Sequence, residues 1–255
     1  MSAEPLETQP FRWPQGKRGA VSLTFDDARA SQIDAGMAIL DALGVKATFY
    51  ASIGNLERRL AEWRKAAARG HEMGNHSLSH PCSGNFRFAR NNALENYTLE
   101  RMEADLLDAN DQIRRLVGAT PVTFAYPCGQ TFVGRGEGTR SYVPLVARHF
   151  LVGRGAYNEA PNDPAFCDLA QAFGMEADRK SPDELKALAA RAADEGGWLI
   201  LFGHDVGEAG RHQVVPADSL RALCEYALEP ANGIWIDTVA AVGTYIQNVR
   251  SDSSS

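Results

Sequence analysis

No stretch of this sequence stays apolar for long. The longest purely apolar run, Trp198 to Phe202, covers five residues, whereas a membrane-spanning helix needs roughly twenty. Basic residues are not in excess: 26 Lys and Arg face 32 Asp and Glu, a net charge of −6. That balance argues against a nucleic-acid surface. Cysteine is scarce, at Cys82, Cys128, Cys167 and Cys224, with no CxxC spacing. Such scatter in a chain of 255 residues is no disulfide framework, so thiols in a reducing compartment are expected. The first residues carry Glu4, Glu7, Arg12 and Lys17 with no apolar core between them, unlike a signal peptide. The expectation is a cytoplasmic protein without membrane or nucleic-acid partners. With 44% apolar and 23% charged residues, the composition is that of an ordinary globule.

What is present is alternation. Short apolar runs at 20–25, 46–50, 71–74, 122–126, 150–154, 168–173, 198–203 and 233–237 read as strands. Helical patterns fill the gaps. Residues 181–194 open on Ser181-Pro182-Asp183-Glu184, a capping box with Pro at the first helical position, and stop before Gly196-Gly197. Residues 94–117 place Leu99, Met102, Leu106, Ala109, Ile113 and Leu116 on one stripe, which reads as packing because sustained heptads are missing. Apolar strands alternating with helices imply a parallel sheet covered by helices, and seven or eight units make a closed or nearly closed (β/α) barrel. One α/β domain at 20–248 is expected, with residues 1–19 as an extension packed on it and 249–255 as a disordered tail.

In such barrels the chemistry sits at the C-terminal strand ends. Asp26-Asp27, His76, Pro127, Arg154 and His204 all fall at or just after those ends. Adjacent carboxylates on a strand diverge, so one can bind a metal while its neighbour takes a proton. His76-Ser77-Leu78-Ser79-His80 spaces two imidazoles one helical turn apart, and with an Asp they form a sufficient protein shell for zinc. An i,i+4 His pair alone is modest evidence, since chance supplies one in roughly one chain in eight of this histidine content. Strand 198–203 delivers His204, and Phe124-Ala125-Tyr126-Pro127-Cys128-Gly129 runs into a turn that can expose an amide.

Together these segments resemble the polysaccharide deacetylases, the NodB-like carbohydrate esterases of family four. Thr24-Phe25-Asp26-Asp27 resembles the first family motif, His76-Ser77-Leu78-Ser79-His80 the second, and Leu201-Phe202-Gly203-His204 the L-x-x-H motif. The resemblance implies a distorted (β/α) barrel and metal-dependent removal of N- or O-acetyl groups from a saccharide. It assigns Asp27, His76 and His80 to one divalent ion, foremost zinc, Asp26 to the general base and His204 to the general acid. The Cys128 amide becomes an oxyanion donor, and Tyr126, Pro127 and Phe86 become substrate contacts.

Two departures bear on those roles. Ala125 stands where the family's third motif carries an arginine, which makes Arg154 the candidate replacement. The aspartate that orients the acid histidine is not recognisable, and Asp168 and Asp205 are the candidates. Two other functions compete: an amide hydrolase on a cyclic imide or ureide, and a non-catalytic glycan-binding module on the same scaffold.

Overall fold

The computed structural model describes residues 11–253. Its centre is an eight-stranded parallel sheet: β1 Gly19–Asp26, β2 Thr48–Ala51, β3 Glu72–Asn75, β4 Thr123–Ala125, β5 Val152–Arg154, β6 Met175–Glu176, β7 Trp198–Gly203 and β8 Ile234–Ile236. The strand order is β5-β4-β3-β2-β1-β7-β6, and β8 pairs with the first half of β1. The second half of β1 pairs with β2, in the register Thr24–Asp26 against Thr48–Tyr50. Every residue of β1 and β7 is buried, because helices cover one face and side chains fill the other.

The sheet curls until its two edges nearly meet. Arg154 of β5 bridges to Ala172, and a few residues later Met175 pairs with Leu201 of β7. The segment 172–176 thus closes the distorted barrel by a thin seam. At the opposite end, the C-terminal helix (Val239–Ser253) crosses the N-terminal strand ends. Its Val239, Val242 and Ile246 pack with Ala20, Val152, Trp198 and Ile200. Phe11 and Trp13 join that cluster, and residues 1–10 of the expected extension lie outside the described residues.

Three expectations change. The tail expected from 249 is helical through Ser253, because the C-terminal helix is docked and Arg250 Nε donates to Pro164 O at 2.9 Å; residues 254 and 255 lie outside the described residues. The strand expected at 168–173 lies at Met175–Glu176, after a 3₁₀ turn at Leu169–Gln171. Cys82 and Cys128 are not free thiols. They form a disulfide across 46 residues of sequence, and Cys167 and Cys224 remain free. Pairing of β3 with β4 brings their following loops together, which residue spacing alone does not reveal. With that bond, the thiol argument for a reducing compartment falls away. No helix among the described residues is long and apolar enough to cross a membrane.

The capping box is formed: Ser181 Oγ accepts from the Glu184 amide and Glu184 reaches back to the Ser181 amide at the start of helix Pro182–Asp194. The stripe at 94–117 belongs to the helix Leu99–Val117, which buries Met102, Leu106, Ala109 and Ile113 against β3 and its helical neighbours.

Candidate active site

A cavity of about 510 Å³ opens at the C-terminal ends of the strands. Asp26, Asp27, His76, His80 and His204 all line it. The two acids diverge for a different reason from strand alternation. Asp26 is the last residue of β1, whereas Asp27 has already left the strand in the left-handed region, at φ 74°. A non-glycine residue held there is uncommon and marks a conformation imposed by its surroundings. Asp27 Oδ2 accepts from Arg29 at 2.9 Å, and its Oδ1 accepts from Ser52 Oγ at 3.1 Å.

That Oδ1 atom also lies 3.9 Å from His76 Nε2 and 3.8 Å from His80 Nε2. One ligand atom from each of Asp27, His76 and His80 lies within 4.8 Å of the others. The His76 Nδ1–H donates to Ala125 O at 2.9 Å, which fixes the tautomer and leaves the Nε2 lone pair facing Asp27. Burial pushes the His76 pKa down to about 4, so the ring is neutral near pH 7. Burial alone would raise the Asp27 pKa, but the charges of His76, His80 and Arg29 outweigh it and hold it down at about 2. Neutral imidazoles and an ionised carboxylate are the forms that bind a divalent metal. The donor set therefore fits one.

His76 and His80 do not sit on a helix. Ser77 and His80 have φ of 63° and 48°, and the segment is a loop. Polar groups anchored on the helix Leu99–Val117 shape it: Asp105 Oδ1 accepts from the Leu78 amide at 2.8 Å, and Asn75 Oδ1 accepts from the Ser77 amide at 2.6 Å. Asn75 is in turn tied to Leu106 O and Asn110. Sequence reading missed both: Asp105 is a polar residue on an amphipathic helix, which reads as surface, and Asn75 is a polar residue ending a short strand, which reads as part of the loop.

Around Asp26 the structure supplies the missing cation. Arg154 is fully buried, and its Nη2 donates to Asp26 Oδ1. The guanidinium carbon lies 5.1 Å from the ring centroids of both Tyr50 and Phe202, a distance for cation–π attraction. Burial would raise the Asp26 pKa, but Arg154, His76 and His204 outweigh it and lower it. Gln32 Nε2 donates to the backbone oxygens of Asp26 and His204, at 2.6 and 2.8 Å, and so ties the ends of β1 and β7 together.

His204 is oriented by Asp178 and by neither expected residue. Asp178 Oδ2 lies 2.6 Å from His204 Nδ1, and its Oδ1 accepts from the His204 amide at 3.1 Å. Burial would lower the His204 pKa, but the Asp178 hydrogen bond and the charges of Asp26 and Asp178 raise it. Asp168 instead caps the 3₁₀ turn, accepting from the Ala170 amide at 2.9 Å. Asp205 binds Arg29 at 2.9 Å and Ser31 at 2.5 Å. Because β6 was expected a few residues early, Asp178 at its tip went unnoticed.

The expected substrate contacts divide. Phe86 is 43% exposed on the cavity rim, stacked on Phe88 at 5.5 Å, and Tyr157 stands on the same rim. Tyr126 touches the cavity, but its hydroxyl is committed to Ala170 O at 2.6 Å. Pro127 is buried and does not line the cavity. Cys128 lines it with φ 55°, its sulfur in the disulfide. That bond rules out a free nucleophilic thiol at Cys128 in this form.

Comparison with known proteins fits this geometry. Residues 11–135 match the family model "Polysaccharide deacetylase". A gellan lyase from Bacillus sp. is 27% identical over 264 residues, covering 92% of this chain and 10% of that protein. The chain spans 10% and 36% of the lengths of the curated relatives it matches. A putative polysaccharide deacetylase from Mycobacterium smegmatis superposes with a TM-score of 0.64 at 16% identity, covering 94% of each chain. A family 4 acetyl xylan esterase from Clostridium thermocellum, solved with a cobalt ion, gives 0.56 at 23% identity, covering 89% of this chain and 91% of that one. These likenesses show the fold, the curled parallel sheet with its surrounding helices. The matched segment contains Asp26, Asp27, His76 and His80, and over residues 11–135 the chain carries a polysaccharide deacetylase domain.

Proposed function

We propose that this chain hydrolyses acetyl groups from a saccharide with the help of one divalent ion, foremost zinc. The observation that carries the reading is the convergence of Asp27, His76 and His80 beside an acid, Asp26, that is not one of the three. Two nitrogens and one carboxylate oxygen are a zinc-type donor set with room for a further ligand. An ion there would acidify a water and polarise the acetyl carbonyl.

The protein's own groups divide the remaining work. Asp26, kept ionised by Arg154, is the base that takes the proton of the attacking water. The amide at Cys128, on the cavity wall, is the candidate donor to the oxyanion. His204, protonated and oriented by Asp178, delivers a proton to the departing amine or alkoxide. Phe86 and Phe88 offer an apolar face for a sugar ring at the rim. The acetyl xylan esterase of the same fold was solved with a cobalt ion, which supports a metal-dependent reading.

The imide or ureide reading is disfavoured by the same triad, and the binding-module reading loses its motive once Arg154 pairs with Asp26. Acetate release from acetylated chitooligosaccharides tests the proposal. Activity should vanish with chelator and return with zinc or cobalt. Asp26→Asn should lose turnover and keep metal, whereas His76→Ala should lose both. Glycan binding without turnover at any metal would leave the binding module.

A further inference from the structure

The ring of His80 faces two ways. Its Nε2 looks toward Asp27, and its Nδ1 lies 3.7 Å from Cys82 Sγ. One ligand atom each from His80, Cys82 and Cys128 falls within 4.8 Å of the others, a second convergence of metal-binding types beside the first. The two sulfurs are joined, which withholds them from any metal.

The loops that carry them do not depend on that bond alone. Ser83 N donates to Gln130 Oε1 at 2.7 Å, linking the chain just after Cys82 to the chain just after Cys128. Leu94 N donates to Cys82 O at 3.0 Å, and Gln130 N donates to Pro127 O at 3.1 Å. His80 is pinned through its amide to Ser77 Oγ at 3.0 Å. Opening the S–S bond would therefore leave two thiols and an imidazole facing one point. Two cysteines and a histidine are a soft donor set suited to zinc and related thiophilic ions.

We propose that the Cys82–Cys128 disulfide masks a second metal site, formed by both cysteine sulfurs and His80 Nδ1, which appears on reduction and takes a thiophilic divalent cation. A dithiol or phosphine reductant supplies the two electrons. The S–S bond breaks and each sulfur gains a proton, while the reductant becomes a cyclic disulfide or, with water, a phosphine oxide. On binding, the cation displaces a proton from each thiol and takes the Nδ1 lone pair of neutral His80. A neutral imidazole has a single nitrogen lone pair, so His80 serves one site at a time. The disulfide then protects the Asp27–His76–His80 set from losing a ligand. Only this last consequence rests on the function proposed above.

Cobalt(II) is the probe, added to the full-length chain before and after phosphine reduction, with excess reductant removed. The reduced protein should gain a thiolate-to-cobalt charge-transfer band that the oxidised protein lacks. The band should persist in the Asp27→Asn/His76→Ala double variant and disappear in Cys82→Ser/Cys128→Ser. Oxidised and reduced wild type give the comparison without any substitution. Reduced protein with all four thiols titratable but no such band would overturn the proposal, as would a band that survives Cys82→Ser/Cys128→Ser. Failure of the functional reading looks different: the oxidised protein would bind no cobalt at all.

Discussion

Asp178→Asn is the most discriminating substitution, because it keeps the shape of the side chain and removes only its charge. The wild-type carboxylate is 3% exposed and meets His204 twice, at the ring and at the backbone. Screening by solvent is therefore slight. A hydrogen bond between a charged pair contributes about 1.5–3 kcal/mol, and each 1.36 kcal/mol is tenfold in rate. Loss of the pair should lower the rate of acetate release by about ten- to a hundredfold. The pH profile is the sharper readout. In the proposed reaction His204 must be protonated to act as an acid, and Asp178 helps to raise its pKa. Without that charge the alkaline limb should move to lower pH. Stability follows the same sign. Because folding raises the His204 pKa, its contribution is complete below the unfolded-chain value and is lost as pH rises through the folded value. Urea titrations should show the gap between wild type and variant widest on the acid side, narrowing on the alkaline side. An unmoved alkaline limb, or a gap that grows with pH, would refute the reasoning. Asp205→Asn is the control and should leave that limb in place, since Asp205 bonds to Arg29 and Ser31.

Arg154→Met leaves the Asp26 carboxylate buried and unpaired, a loss of about 3–5 kcal/mol in urea unfolding. Its acid limb of activity should move upward, because the cation that lowers the Asp26 pKa is gone. Gly203→Ala would place a Cβ 2.3 Å from Val215 Cγ2 and 3.2 Å from Asp178 Oδ1. A crowded core costs about 1–3 kcal/mol, which thermal unfolding would report. Phe88 is 70% exposed, so Phe88→Ala should change stability by less than about 0.5 kcal/mol. If it carries a sugar ring, KM for an acetylated oligosaccharide rises while kcat holds.

Sequence pattern revealed the parts of this protein that are regular along the chain. β1 is a mostly apolar run and β7 a continuous one, and they end in Asp26-Asp27 and His204, so composition and punctuation place both the strands and the polar residues at their tips. Helix Pro182–Asp194 announces its own start through Ser181 and Glu184. Partnerships made across the fold were harder to see. Asp178 and His204 are 26 residues apart, and nothing local in either stretch names its partner; Arg154, 128 residues from Asp26, was reached only through the absence of the motif arginine at Ala125. A two-residue strand such as β6 has too little alternation to mark its own ends, and that hid Asp178. The disulfide was hidden likewise, because contact between the Cys82 and Cys128 loops is a property of the β3–β4 neighbourhood.

The thin seam at 172–176 has a mechanical consequence. Arg154, which pairs with Asp26, is the very residue through which the sheet edge meets Ala172. Backbone amides at a junction with so few rungs open more cheaply than those of β1 or β7. Breathing of the wall would thus slacken the grip on Asp26 without disturbing the deep core, and amide exchange at Gly155 would be its clock.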